Sequence, residues 1–495
     1  MSQDTTQTAA SMPRQGTRIS QWDRIERSVF VALAVGLAWG IRGDFGHLIG
    51  AMYPGVILAF AFGYVTGQTA MYRWMPVLAI VTGLGIGAGG HMSYGVLHGY
   101  GKSDTFINYA YGFFTLFLQG GAWGVFGCAA AGLLLEHKRT TRIEWVESAI
   151  AVLAGGTFLY ILVVKLCGFH INPWRSNASI AYTGGAWALL VWLWARGKQT
   201  GFRSAILGYT GFGMGMSIGR MVDNINTNLI TWSWKFADGT QLGPFNINTW
   251  NTMEVSVGLI AGFVYTYGML GQRFPEPPSG PAFARIANLG ALYAMAAVPI
   301  LHAVTRTPFS EKITEWTSAL EEMGYGNAGA LGQKTANGII ALCVAATIGS
   351  ILWSIVNGKD ARRWPWFPVV WLSLTMVLYQ NANALYFFRP PVPNYINMHT
   401  VFWILFILMT VHVIAQLFKD GPSPYPPENA EQLKPFKAYK WVLASAISYV
   451  VLLVAAGFVN GKETMKSANT RFPIWAWPEG PFPGVQPKVP PSGNE

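Results

Sequence analysis

The sequence has few charged side chains. Asp, Glu, Lys and Arg make up 12% of the 495 residues, against roughly 25% in soluble globular proteins, whereas 52% of the residues are hydrophobic. Apolar runs recur from Val29 to Val459 and are separated by short charged or proline-rich pieces. Because backbone polar groups in lipid must be satisfied within each span, this pattern predicts an all-α fold, a polytopic integral membrane helical bundle.

The sequence also lacks the short motifs that carry well-known chemistry. No CxxCH, P-loop, GxSxG or HExxH pattern is present, and the loops are too short to hold a separate catalytic domain. The three cysteines, Cys128, Cys167 and Cys343, lie in or beside apolar runs, so we predict neither a disulfide framework nor a metal site. His399 and His412 have a spacing suited to two stacked haems, but no second helix offers such a pair, and we predict no cofactor.

The apolar runs predict about 13 transmembrane spans. Basic segments such as "RIER", "HKRTTR" and "KDARR" fall between alternate runs. The positive-inside rule then places the N-terminus in the cytosol and the C-terminus outside, which fits a plasma (inner) membrane. The predicted limits of the spans are 28–41, 50–70, 75–90, 110–135, 147–166, 178–194, 204–219, 250–270, 285–301, 336–356, 367–380, 398–417 and 440–459.

These spans divide the chain into three regions. We expect a cytosolic polar tail over 1–27, a multi-span membrane domain over 28–459, and an external tail rich in proline and aromatic residues over 460–495. The formal charge of +11 follows from the cytosolic clusters. No basic stripe interleaved with aromatic residues occurs, so we predict no nucleic-acid partner.

Ionisable residues follow the first apolar run directly. The stretch "AWGIRGDFGH" places Arg42, Asp44 and His47 among closely spaced glycines, after the GxxxG pair Gly36 and Gly40. Charged side chains at that depth must face a protein interior or a watery cavity. Asp44 could neutralise Arg42. The residues therefore predict a polar site at the outer end of the first span.

The seventh span repeats this arrangement. In "GMGMSIGRMVDN" the GxxxG pair Gly215 and Gly219 precedes Arg220, Asp223 and Asn224. Arg220 and Asp223 could form an ion pair within the helix. Since both spans run from the cytosol outwards, they fit equivalent positions in two parallel halves, spans 1–6 and 7–12, with span 13 added.

Two further polar features lie at the same predicted depth. His91, Tyr94 and His98 would share one face of a continuous helix, at i, i+3 and i+7. Two histidines seven residues apart are roughly 10 Å apart along a helix, too far to bind one metal ion. Glu254, at the start of the eighth span, is also unusual for an apolar run.

The recurrence of these residues at one depth predicts a shared, outward-opening polar cavity. The best interpretation is a transporter for a polar or anionic small solute. The alternative is a membrane-embedded transferase for a glycosyl, acyl or phosphoryl group, using a lipid-linked donor. The third interpretation is a non-catalytic membrane subunit. The sequence therefore does not decide whether the protein is an enzyme. The expected partners are the lipid bilayer and that solute or donor, and the candidate residues are Arg42, Asp44, His47, His91, His98, Arg220, Asp223 and Asn224.

Overall fold

The structure of the protein is a computed structural model that is almost entirely helical. Among the residues it describes, the only strands are β1 (Phe245–Asn246) and β2 (Ile396–Asn397), which pair in parallel with Phe245 opposite Ile396. The structure describes residues 20–46, 48–92, 94–171, 177–231, 245–246, 249–305, 309–357, 365–380, 396–419, 421–427 and 436–460.

Helices occupy each of the apolar runs found in the sequence. Short 3-10 turns follow three of them, at Gly43–Phe45, Gly89–His91 and His137–Arg139, and π-helical segments occur at Ile161–Leu166, Asn226–Thr231 and Tyr293–Ala297. In chain order the α-helices are α1 (Gln21–Arg42), α2 (Met52–Thr66), α3 (Thr69–Ala88), α4 (Gly95–Gly101), α5 (Phe106–Leu135), α6 (Arg142–Tyr160), α7 (Ala178–Ala195), α8 (Gln199–Ile225), α9 (Thr249–Met269), α10 (Pro281–Leu292), α11 (Val298–Thr305), α12 (Phe309–Glu322), α13 (Ala328–Asn357), α14 (Phe367–Gln380), α15 (Met398–Leu417) and α16 (Ala438–Val459).

Eight helical segments in the described part of the chain are long and apolar enough to cross a membrane. Two shorter apolar helices, α2 and α14, accompany them. The chain is thus an all-helical protein with the character of an integral membrane protein, and a total of about 13 crossings stays a prediction. The eight segments are Thr69–His91, Phe106–Leu135, Arg142–Leu166, Ala178–Ala195, Pro281–His302, Ala328–Trp353, Met398–Leu417 and Ala438–Val459.

Helix α9 lies at the centre of the bundle, between α1 and α8. A Cβ atom at Gly258 of α9 would lie 2.3 Å from the carbonyl oxygen of Val35 on α1. A Cβ atom at Gly215 of α8 would lie 2.8 Å from the carbonyl oxygen of Val257 on α9. Small residues therefore let three helix backbones approach closely, as is typical of helix packing in membranes.

The outer helices present apolar side chains away from the bundle. The most apolar stretch of α5 is 78% buried, whereas that of α6 with its π-helical extension is only 11% buried. Exposed residues on α6 include Ile150 and Leu153, and on α16 they include Val450 and Val451. An apolar surface of this size is typical of a protein in a lipid bilayer. The exposed apolar side chains can contact lipid tails there, whereas contact with water would be unfavourable.

The chain direction of these helices places the candidate residues at one end of the bundle. Helices α1 and α8 both finish at this end. Arg42 is the last residue of α1, Arg220 lies near the end of α8, and α4 and the start of α9 lie beside them. We call it the arginine end. Asn460, after α16, also lies here, because its side chain donates a hydrogen bond to the carbonyl oxygen of Gly101.

Helix α1 is longer than the first apolar run. It begins at Gln21 rather than at residue 28, because the hydroxyl of Ser20 accepts a hydrogen bond from the Asp23 amide and caps the first turn. Its 22 residues extend over roughly 33 Å. Hydropathy marks only the apolar part of such a helix, so the predicted span 28–41 covers part of α1.

The expected helical face of His91, Tyr94 and His98 is wrong. The 3-10 turn Gly89–His91 ends the α3 segment, Met92 is extended with φ −84° and ψ 116°, and α4 begins only at Gly95. Consecutive glycines at the end of α3 weaken the helix there, since glycine has high backbone entropy. The break separates an exposed His91 from a fully buried His98.

Candidate functional site

Arg42 forms a buried ion pair with Glu254. The two side chains are 1% and 7% exposed, and Arg42 Nη2 donates a 2.7 Å hydrogen bond to Glu254 Oε1. The hydroxyl of Tyr94 lies 2.5 Å from the same Nη2 and 3.2 Å from the same carboxylate oxygen. The pair thus joins the end of α1, the start of α9 and the residue before α4 in one charge-assisted network.

Glycine makes room for this pair. A Cβ atom at Gly43, which follows Arg42, would lie only 2.1 Å from Glu254 Oε2. The chain then turns sharply at Gly46, whose φ of 80° is left-handed and favours glycine. The glycines that surround Arg42 in the sequence therefore admit the carboxylate of Glu254 and turn the chain away from α1.

Three aromatic rings surround the Arg42 guanidinium. Its central carbon lies 5.2, 5.5 and 5.6 Å from the ring centroids of Trp39, Trp123 and Tyr94. Each distance is within the range of a cation–π interaction. Trp123 is itself fixed, because its indole nitrogen donates a 2.5 Å hydrogen bond to the Ile86 carbonyl oxygen. Ion pair and rings together hold Arg42 in one position.

A second cluster surrounds Arg220 on α8. Arg220 and Asp223 form the expected ion pair within the helix, and both are fully buried. Arg220 Nε also donates a 2.9 Å hydrogen bond to Asn224 Oδ1. Lys102, at the end of α4, places its ammonium nitrogen 3.8 Å from Asp223 Oδ2. The prediction of an Arg220–Asp223 pair is confirmed, and Lys102 is an addition to it.

Helices α4, α8 and α16 are joined beside this cluster. The amide nitrogen of Asn224 donates to the Gly101 carbonyl oxygen and to Asn460 Oδ1, each at 2.8 Å. Asn460 in turn donates to the carbonyl oxygens of Gly101 at 3.0 Å and Ser103 at 2.8 Å. Two side-chain amides therefore satisfy the carbonyl groups at the end of a short helix.

The guanidinium of Arg220 is only partly satisfied by the side chains around it. Within the described part of the chain, Arg220 Nη1 is buried without a hydrogen-bond partner. A buried donor without a partner is costly, so this nitrogen is suited to a hydrogen-bond acceptor.

His98 lies between the two clusters. Its ring packs edge-on against Tyr94 at 5.1 Å and against Trp250 at 5.4 Å. It lies close enough to Arg42, Lys102 and Arg220 to interact with all three charges. Helix α4 thus connects the two parts of the predicted site, although a single shared cavity stays a prediction.

Other predicted residues do not take part in these clusters or are not described. The backbone of Asp44 lies in the 3-10 turn Gly43–Phe45, but its side chain and the whole of His47 lie outside the described residues. His91 is exposed, and among the described residues it makes no hydrogen bond or ion pair with either cluster. Among the described side chains, no group of three His, Cys, Asp or Glu residues is arranged to hold a metal ion.

Sequence reasoning left Glu254 out of the candidate residues. It is the only charged residue in the predicted span 250–270, and a lone carboxylate in an apolar helix needs a partner. That signal identifies Glu254 as a buried group but does not identify Arg42 as its partner. Lys102 gave no such signal, because a lysine in a short polar loop is ordinary.

Comparison of the chain with known protein families, with curated proteins and with solved structures finds no match.

Proposed function

We propose that this protein is a multi-pass membrane transporter that moves a small polar or anionic solute through a site at the arginine end. Arg220 and Lys102 would hold the anionic group, and Asp223 would be available to a coupling proton or sodium ion. Asp44 and His47 remain candidates for the coupling path.

The observation that carries this proposal is the buried guanidinium nitrogen of Arg220 beside α4. Arg220 Nη2 is paired with Asp223, whereas Nη1 is buried without a hydrogen-bond partner among the described residues. A purely structural cluster is expected to pair each charge, because an unpaired buried donor costs about 1–3 kcal/mol or more. The cluster therefore supports a ligand-binding protein over a non-catalytic membrane subunit.

A second candidate is a membrane-embedded transferase. The position of the clusters supports it, because Arg42 is the last residue of α1, and Asp223 and Asn224 lie in the last turn of α8. A site near one end of the bundle is accessible to a donor at the membrane interface, whereas carriers place their site near the midplane. In this function an arginine would hold a phosphate of the lipid-linked donor.

The proposal includes the membrane layout. We place about 13 spans in the plasma membrane, with a cytosolic N-terminus and an external arginine end, from the distribution of basic residues. Two parallel halves of six spans would make α1 and α8 equivalent. Two observations support this idea. Both helices pack on α9 through GxxxG pairs, and both carry a buried arginine in their last two turns.

A binding screen followed by a transport assay tests the function. Purified protein in detergent would be heated with acetate, lactate, gluconate, inorganic phosphate, sulfate or neutral glucose at fixed ionic strength. We expect at least one anion to raise the melting temperature saturably, since a ligand stabilises the state that binds it. Lys102→Gln should weaken this effect at least tenfold, and Lys334→Gln, on the distant helix α13, should not.

The stabilising anion would then be tested for counterflow into proteoliposomes. Counterflow that is saturable and lost in Lys102→Gln supports transport. Binding without counterflow, with turnover of a lipid-linked donor, favours the transferase instead. If neither an anion nor glucose stabilises the folded wild-type protein, the Arg220 cluster has a structural role and both functions are wrong.

A further inference from the structure

Two more buried polar side chains lie without partners beside the arginine clusters. Within the described residues, both ring nitrogens of His98 and both amide atoms of Gln119 are buried and make no hydrogen bond. Each of these two side chains is 0% exposed. Buried polar groups in native proteins are almost always satisfied, so a set of orphaned atoms in one place needs an explanation.

The packing of α5 against α8 places Gln119 between the two clusters. Leu116, one turn before Gln119, lies beside Gly101 together with Arg220: a Cβ atom at Gly101 would be 4.0 Å from Leu116 and 2.7 Å from Arg220. Trp123, one turn after Gln119, packs on Trp39 with ring centroids 5.5 Å apart. Since residues i and i+4 share a helix face, Gln119 lies between the Arg220 cluster and the rings around Arg42.

Helix α8 confirms this placement from the other side. Phe212 contacts Trp39 with ring centroids 5.2 Å apart, and Arg220 lies two turns further along the same face of α8. A Cβ atom at Gly120 would lie 2.7 Å from Met216, midway between them. Gln119, next to Gly120 in the sequence, therefore lies at the level of the stretch between Phe212 and Arg220 along the bundle.

We propose that His98, Gln119 and Arg220 form the binding pocket for a small hydroxy-carboxylate anion. This inference rests on the proposed function and names the class of its solute. Arg220 Nη1 is a donor, Gln119 offers an amide donor and an acceptor, and a neutral His98 offers one of each. Burial beside three cations favours the neutral imidazole.

The chemistry of these groups selects the ligand. A carboxylate accepts hydrogen bonds from the guanidinium and amide donors. A hydroxyl group can donate to the amide oxygen of Gln119 or to the free nitrogen of His98, acceptors that a carboxylate alone would leave unsatisfied.

The test compares lactate and gluconate with acetate, inorganic phosphate and sulfate on wild-type protein in detergent. We expect the two hydroxy-carboxylates to raise the melting temperature saturably, with half-saturation at least tenfold lower than for acetate. Gln119→Leu and His98→Phe should each raise the half-saturation concentration at least tenfold while the helical content and elution volume stay unchanged. Gln333→Leu, an exposed site on α13, is the matched control and should behave like wild type.

Each other result has a defined meaning. If phosphate or sulfate stabilises the protein and carboxylates do not, the hydroxy-carboxylate assignment is wrong, but anion binding at Arg220 stands. If both Gln119→Leu and His98→Phe bind lactate as wild type does, the proposed pocket is wrong. Ordered water would then satisfy the ring nitrogens of His98 and the amide atoms of Gln119. Should either variant fail to fold, Gln119→Met decides: it keeps the length of the side chain, removes both amide atoms, and must raise the half-saturation concentration for lactate if the pocket exists. If no anion stabilises wild type, this inference and the proposed function both fail.

Discussion

Glu254, near the start of α9, accepts a 2.7 Å hydrogen bond from Arg42, the last residue of α1 and 212 positions earlier in the chain. Both side chains are buried. The pair fixes the end of one central helix against the beginning of another, beside the helix that carries His98. Its loss would alter both stability and the geometry of the proposed pocket.

Removing one partner of this pair should be costly. Arg42→Gln leaves the Glu254 carboxylate buried without its cation, and we expect a loss of about 3–5 kcal/mol in the free energy of unfolding. Thermal unfolding in detergent measures the loss as a lower melting temperature. The double variant Arg42→Gln/Glu254→Gln should recover part of it, because no uncompensated charge remains.

The exposed pair Arg73–Glu276 provides the control for that measurement. Its side chains are 40% and 59% exposed, so Arg73→Gln should change stability by about 1 kcal/mol or less. A similar loss in the Arg42 and Arg73 variants would contradict a special role for the buried pair.

Close packing of α1 on α9 should make Gly258 intolerant of any side chain. In Gly258→Ala the added Cβ would meet backbone atoms of Val35 and Gly36 at 2.3 and 2.7 Å. Backbone cannot move aside as a flexible side chain can, and we expect a loss of about 1–3 kcal/mol, visible in the melting temperature. Gly338→Ala is the matched control, because nothing lies within 4 Å of its Cβ position on α13. It should be neutral or stabilising.

Asn460 should contribute to stability although it lies beyond the last helix. Asn460→Ala removes its hydrogen bonds to the carbonyl oxygens of Gly101 and Ser103 and its contact with Asn224. At about 0.5–1.5 kcal/mol for each of these three hydrogen bonds, we expect a total loss of about 1.5–4.5 kcal/mol. Asn337→Ala removes one exposed hydrogen bond and should have little effect, so equal melting temperatures for the two variants would contradict this prediction.

His137 should make stability depend on pH. Burial, assisted by the nearby charge of Lys138, lowers the pKa of His137 below its ordinary value of 6.5, and its ring packs on Trp74 at 5.3 Å. The unfolded chain therefore binds the proton more readily than the folded protein. The stabilising contribution is present above pH 6.5 and is lost as the pH falls below that value towards the lowered folded pKa.

The measurement compares melting temperatures of wild type and His137→Gln between about pH 7.5 and pH 5. The advantage of wild type should shrink on acidification. The variant His91→Gln, at an exposed histidine, controls for loss of a surface imidazole. A wild-type advantage that is constant with pH would show that His137 titrates alike in both states.

The local sequence predicts the ion pair of Arg220 and Asp223 but does not predict that of Arg42 and Glu254. The first two residues are three apart on one helix, so helical periodicity alone brings them together. The second pair depends on α9 inserting between α1 and α8, an arrangement that hydropathy does not encode. The break between His91 and His98 was missed for a related reason, because two glycines permit either a continuous helix or a turn.

The sequence by itself determined the helical membrane class of this protein, since lipid offers backbone groups no hydrogen-bond partners and each apolar run must satisfy its own. It also determined that charged residues within those runs would be buried among protein atoms. Only the tertiary structure decided which charges meet. Glycines on α1, α8 and α9 bring three backbones together, and that approach selects Glu254 for Arg42, leaves Lys102 to share Asp223 with Arg220, and places Gln119 and His98 between them.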